Sequence, residues 1–159
     1  MYTVQHVASQ LALRAHEGQF YGSSNTPYYE HLYDVVGNVT EMYEEDDTFQ
    51  EDSILQASAW LHDIMEDCGF TESMLYGSGM SKEVVDIVKA VTKLEGESHE
   101  TYLNRIVEAG PDAIKLKIAD SRANLAATLR SAVSEKQHRR LVKYTSNLVF
   151  LNNALLNLA

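Results

Sequence analysis

Apolar side chains in this chain recur at intervals of three and four, and no stretch alternates strictly between apolar and polar. Val4, Val7, Ala8, Leu11, Ala12 and Ala15 predict a first helix over residues 3–18, closed by Gly18. Phe20 to Tyr29, with Gly22, Ser23, Ser24, Asn25 and Pro27, reads as a loop. A second helix is predicted from Glu30 to Tyr43 with Leu32, Val35, Val36 and Val39 facing inward, followed by a solvated acidic turn, Glu44 to Asp47. A central helix then spans Phe49 to Asp67 and ends at Gly69. Thr71 and Glu72 start a short helix that stops near Gly77 and Gly79. Ser81 caps Lys82 to Leu94, and Ser98 caps His99 to Glu108. Gly110-Pro111 breaks the chain before Asp112 to Leu129, and a last helix covers Glu135 to Leu155. The pattern predicts an all-α fold.

The central helix sets the chemistry. Ile54, Leu55, Ala57, Ala59, Trp60, Leu61, Ile64 and Met65 cover most of its circumference, as in a core helix. Its end reads Trp60-Leu61-His62-Asp63-Ile64-Met65-Glu66-Asp67. In a regular helix His62 lies one turn from Glu66, and Asp63 one turn from Asp67. Two readings are open for this stretch alone: carboxylates solvated at a helix end, or a polar cluster entering the core around a divalent cation.

Composition narrows the setting. At 159 residues the chain is expected to form one domain, 1–159, without room for a separate synthetase or regulatory domain. One cysteine, Cys68, excludes an internal disulfide and a Cys-rich zinc site and suits a reducing, cytoplasmic compartment. The N-terminus is too polar for a signal peptide, and no stretch is long and apolar enough to span a membrane. A net charge of −10 argues against general nucleic-acid binding. Arg14 is the only lysine or arginine through residue 80, so cations for an anionic ligand must come from the second half or from a metal.

Two more positions join the cluster. His31 opens the second helix, where an imidazole can point across to a neighbouring helix terminus or serve as an ordinary packing group. Asp120 lies in Ile114-Lys115-Leu116-Lys117-Ile118-Ala119-Asp120, with Asn124 one turn further along the same face, and taken alone reads equally as a helix-surface aspartate.

The motifs AHEGQ, PYYEH, LHDIMED, VTKL and KIADSRAN, in that order, resemble the HD-domain metal-dependent phosphohydrolases. The likeness runs from about residue 4 to 145 and is greatest to small alarmone hydrolases of the SpoT/Rel and metazoan SpoT homologue type. The resemblance implies a helical HD bundle in which His31, His62, Asp63 and Asp120 bind one divalent metal, typically Mn2+. Two imidazoles and two carboxylates suit such an ion and leave positions for water and phosphate oxygen. It places Glu66 and Asp67 on the family's ED pair, which orients the attacking water and handles its proton, with Glu66 the better acid/base. Asn124, Tyr144 and Arg140 match nucleotide or phosphate contacts, and Lys93 reads equally as a ligand or an exposed lysine. His16, within AHEGQ, is expected to buttress the site or its loop, whereas His6, His99 and His138 are read as structural or exposed. Cys68 is read as a packing residue.

Three departures bear on the substrate. The loop after the first helix usually carries an Arg-Lys pair and here reads Phe20-Tyr21-Gly22-Ser23-Ser24, so Tyr21 can replace charge with stacking on a base. Leu32 stands where a proline is usual, and the common Asp-Arg becomes Asp120-Ser121-Arg122. The expected activity is Mn2+-dependent removal of the 3′-pyrophosphate of ppGpp, giving GDP and pyrophosphate in the stringent response. An adenine alarmone or another nucleotide phosphate is the alternative substrate, and a non-catalytic nucleotide- or partner-binding module the alternative class. The expected partner is a small nucleotide; homo-oligomerisation is compatible with the sequence but not specified by it.

Overall fold

The computed structural model describes residues 2–44 and 53–158. Among them the regular structure is helical: α1 Val4–Ala15, α2 Tyr28–Glu44, α3 Ser53–Leu61, α4 Ile64–Cys68, α5 Glu72–Gly77, α6 Lys82–Val91, α7 His99–Ala109, α8 Pro111–Arg130 and α9 Glu135–Asn157. The loop before α2 contributes an isolated bridge between Phe20 and Pro27, without a strand. The predicted turn Glu44 to Asp47, beyond Glu44, and the predicted start of the central helix at Phe49 lie outside the described residues.

Local chemistry explains the boundaries. Thr3, Thr71, Ser81, Ser98 and Ser134 each accept a hydrogen bond from a backbone N–H of the following first turn. Pro111 fits the first position of α8, where no N–H is required. Gly69 ends α4 at φ 68°, a left-handed conformation that a side chain would strain.

The continuous central helix is corrected by the structure. α3 stops at Leu61, His62 and Asp63 form a turn, and α4 restarts at Ile64. The His62 N–H reaches the Ala59 carbonyl at 3.5 Å, and Asp63 takes φ −106° and ψ 1°. His62 and Asp63 are therefore presented by a break between helices; the Asp67 N–H still bonds the Asp63 carbonyl at 2.9 Å, so Asp63 stays one turn from Asp67, while His62 lies outside α4. Apolar periodicity continues through the break because Leu61 and Ile64 are both fully buried, which is why the pattern hid it.

α3 packs against α1, α2 and α6, while α8 packs against α2, α7 and α9. Every residue from Leu55 to Leu61 is buried. Its Leu55 and Ala59 join one core cluster with Val35 and Val39 of α2 and Ile114 and Ile118 of α8. Its Ala57, Trp60 and Leu61 join a second with Ala8, Ala12, Leu32, Leu75 and Val84. Burial of each such large side chain contributes about 1.5–3 kcal/mol. The polar turn at the end of α3 is thus fixed from two sides.

Candidate metal centre

α2 carries His31 in its first turn, the α3–α4 break supplies His62 and Asp63, and the middle of α8 supplies Asp120. His31, His62 and Asp120 are buried, and Asp63 is partly exposed. His31 Nε2 lies 3.7 Å from Asp63 Oδ2 and 3.2 Å from Asp120 Oδ1. His62 Nε2 lies 2.9 Å from Asp63 Oδ2 and 3.6 Å from Asp120 Oδ1.

The tautomer of His62 tests what this cluster fits. Its Nδ1–H donates to the Ala59 carbonyl at 2.8 Å, because a carbonyl can only accept. In the neutral ring Nε2 therefore turns a lone pair toward two carboxylates, and this buried atom has no hydrogen-bond partner. Lone pair facing carboxylate is repulsive unless a cation lies between them. Donors about 2.1 Å from an octahedral ion sit about 3.0 Å apart at adjacent positions; the separations here run from 2.9 to 3.7 Å, and donor atoms of His31, His62 and Asp63 all lie within 4.8 Å of one another. Two imidazoles and two carboxylates are also the donor set a borderline divalent ion takes.

The surrounding field agrees. Burial opposes a charge on His62, but Asp63 and Asp120 outweigh it and hold its pKa well above the ordinary value. Burial likewise opposes ionisation of Asp120, yet Lys117 and the two histidines hold its pKa well below the usual range. Asp63 is lowered against its own burial, mainly by His62. The potential that draws a proton to His62 Nε2 would draw a divalent cation equally.

A supporting layer orients the donors. Tyr28 donates its hydroxyl hydrogen to Asp63 Oδ2 and stacks on His16 with ring centroids 4.7 Å apart. His16 is buried, pairs through Nδ1 with Gln19 Oε1 at 2.8 Å and lies 3.5 Å from Cys68 Sγ, so it braces both loop and site as expected. Burial raises the Cys68 thiol pKa, in keeping with a packing residue. Asn124 Nδ2 donates to Asp120 Oδ1 at 2.8 Å, and Lys117 Nζ donates to Asp120 Oδ2 at 2.8 Å.

Glu66 lines a cavity of about 140 Å3 with His62, Asp63, Asp120, Asn124, Lys93 and Tyr144. Its Oε1 accepts the Lys93 backbone N–H. Burial raises its pKa, and the Lys93 N–H partly offsets that rise. Asp67 is not in the cavity wall; it interacts with Tyr28 and His16, and burial followed by Asp63 raises its pKa. Tyr21 and Arg140 line an adjacent cavity of about 300 Å3 that also touches His31. The Tyr21 hydroxyl donates to Asn124 Oδ1, closing a wall between the two spaces. All the sequence-derived positions are thus brought to one region, with Asp67 and Arg140 at its margins.

Several contributors escaped the sequence reading. Lys117 and Tyr28 lie inside quoted motifs, and Lys117 sits on the face of Asp120 three residues earlier, a usable signal. Lys143 and His99 also line the smaller cavity, and His99 Nε2 pairs with Asn147 Oδ1 at 2.7 Å; neither carried a pattern that marked it. Ser121 is fully buried and Arg122 exposed, so the displaced cation points away from both cavities.

No family model matches the chain. It is 30% identical over 145 residues to a guanosine-3′,5′-bis(diphosphate) 3′-pyrophosphohydrolase of Haemophilus influenzae (strain ATCC 51907 / DSM 11121 / KW20 / Rd). That alignment covers 85% of this chain but 20% of the relative, so the chain spans about a fifth of that protein's length. A solved structure of a metazoan SpoT orthologue, described as hydrolysing ppGpp and acting in starvation responses, superposes with a TM-score of 0.72. The superposition covers 99% of this chain and 94% of that one at 17% identity, a likeness of fold.

Proposed function

We propose that this chain, similar in sequence to SpoT-type pyrophosphohydrolases and in fold to a metazoan SpoT orthologue, is a Mn2+-dependent hydrolase of guanosine alarmones. The observation that carries the reading is the convergence of His31, His62, Asp63 and Asp120 around the unpaired His62 Nε2. These four would hold the ion. When bound, a divalent cation supplies Lewis-acid activation of water and offsets charge on the phosphoryl group.

The chain's own residues do the rest. Glu66, whose pKa burial raises, takes the proton of the attacking water, and its Oε1 is kept in place by the Lys93 N–H. Asp67 acts from the side, sharing Tyr28 with Asp63 and so holding that ligand's orientation. Lys93, Lys143 and Tyr144 line the smaller cavity and meet the diphosphate. Burial and the like charges of Lys117 and Lys93 lower the pKa of Lys143, a strain that an incoming anion relieves. Asn124 meets the nucleotide at the boundary of the two cavities, while Tyr21 and Arg140 face its nucleoside side. Water attacks the phosphorus bonded to the ribose 3′ oxygen, that P–O bond breaks, and the 3′ oxygen takes up the proton given by water, so ppGpp yields GDP and pyrophosphate.

Incubation with ppGpp and Mn2+ tests this: GDP and pyrophosphate are expected in equal amounts, and release of orthophosphate alone overturns it. A different nucleotide is favoured by one observation. In the larger cavity Arg130 and Arg140 are matched by Glu30 and Asp34, and the loop offers Tyr21, Ser23 and Ser24 without a cation. Guanine and adenine nucleotides compared under the same conditions separate the two substrates.

A further inference from the structure

Arg105, on α7 and far from the metal cluster in sequence, spends its guanidinium on one short segment. Its Nε donates to Glu97 Oε1 at 2.8 Å and its Nη2 to Glu97 Oε2 at 3.0 Å. Nη2 also reaches the Thr92 carbonyl at 2.7 Å, while Nη1 reaches those of Ala90 at 3.0 Å and Lys89 at 3.2 Å. Glu97 Oε2 in turn accepts the Leu94 N–H at 2.9 Å. The end of α6 and the connection 92–97 are therefore gathered onto one planar fork. Inside that connection lies Lys93, whose N–H binds Glu66 Oε1. Gly96 sits at φ 74° within that connection.

We infer that Arg105 and Glu97 are a positioning pair that fixes the Lys93 backbone N–H on Glu66 and thereby aims the Glu66 carboxylate into the cavity. The inference rests on the reading of Glu66 as the group that handles the proton of the attacking water. A carboxylate with one oxygen tethered keeps the other available to the space it lines; untethered, it rotates between orientations, most of them unproductive. Lysine cannot replace the arginine, because a single ammonium cannot serve a carboxylate and three separate carbonyls in this planar arrangement.

The experiment uses the full chain with Arg105→Lys and Glu97→Gln, alone and combined with Glu66→Gln. Backbone amide exchange is followed by NMR, and kcat and KM are measured on ppGpp with Mn2+. In Arg105→Lys the Lys93 amide should exchange at least about tenfold faster, while the Tyr102 and Ile106 amides of α7 keep their protection. Loss of such an outer partner should lower kcat about 10- to 100-fold with KM within about twofold of the parent. In the Glu66→Gln background Arg105→Lys should add no further loss, since its effect runs through that carboxylate. Glu97→Gln leaves the Arg105 contacts to the α6 carbonyls in place and should show the same pattern more weakly, even where Arg105→Lys fails to fold. Unchanged Lys93 exchange, or losses that multiply with Glu66→Gln, would overturn the inference. Amide exchange is read without turnover, so a chain inactive on ppGpp sinks the hydrolase reading while the Lys93 result still judges the pair.

Discussion

Asp120 is the residue on which the most competing demands fall. One of its oxygens faces both histidines and accepts from Asn124, and the other accepts from Lys117. Burial opposes the charge on Lys117, yet Asp120 holds its pKa above the ordinary lysine value, so the two form a buried pair. Removing one member of such a pair strands the other, at a cost of about 3–5 kcal/mol. Lys117→Met should therefore destabilise the metal-free protein by about that amount in urea titration, and Mn2+ should restore part of it. Equal stability of parent and variant without metal would show that Asp120 does not depend on this ammonium. Tyr28 tests the other carboxylate more gently, because phenylalanine keeps the stacking on His16 and loses only the hydroxyl on Asp63. Tyr28→Phe should lower Mn2+ affinity about 10- to 100-fold, measured by calorimetry, with the melting temperature of the metal-free protein little changed. Affinity equal to the parent's would remove Tyr28 from the support of the site.

At the scale of elements, the functional pieces are the interruptions. His62 and Asp63 sit in the break between α3 and α4, Glu66 is tethered to the connection between α6 and α7, and Tyr21 comes from the loop before α2. The α6–α7 connection should be acid-sensitive. Hydrogen bonds from Arg105 and from the Leu94 N–H hold the Glu97 carboxyl at about 2 against an ordinary 4.5. A depressed carboxyl stabilises the fold fully above its unfolded value and loses that contribution as pH falls through its folded value. Between pH 4.5 and about 2 the connection should thus loosen, seen as faster exchange of the Leu94 amide and a steeper stability loss than in Glu97→Gln. Parallel acid limbs for parent and variant would count against it. The same distinction explains what was legible in the sequence. Helices could be placed because Ser81, Ser98, Pro111 and the apolar faces of α2 and α6 act within a few residues. The proximity of His31, His62, Asp63 and Asp120 was foreshadowed by the motifs that carry them, whatever their role. The α3–α4 break was not, since Leu61 and Ile64 keep the apolar rhythm across it. Arg105 was not legible either: its partners lie 8 to 16 residues away in sequence, and no periodicity links an arginine to the carbonyls ending another helix.

For the whole molecule, charge and packing divide along the same seam. The first half of the chain is nearly without lysine or arginine and supplies three of the four candidate ligands, whereas Lys93, Lys117, Lys143 and Arg140 come from the second. α3 joins both core clusters, and its C-terminal turn meets α2 and α8 where acidic and basic halves come together. Without an ion, a proton on His62 Nε2 offsets the carboxylates of Asp63 and Asp120, and a cation bound there takes over that charge. Binding there should consequently report on global stability. An ion that binds only the folded chain adds about 2.7 kcal/mol at a concentration one hundred times its Kd. For a domain of this size that corresponds to a rise in Tm of about 5–11 °C. Thermal unfolding with and without Mn2+ should show this shift in the parent, and Asp120→Asn should abolish most of it by removing a ligand shared between both histidines. A shift of equal size in Asp120→Asn would place the ion elsewhere, and the absence of any shift in the parent would leave the four side chains without the cation that their arrangement requires.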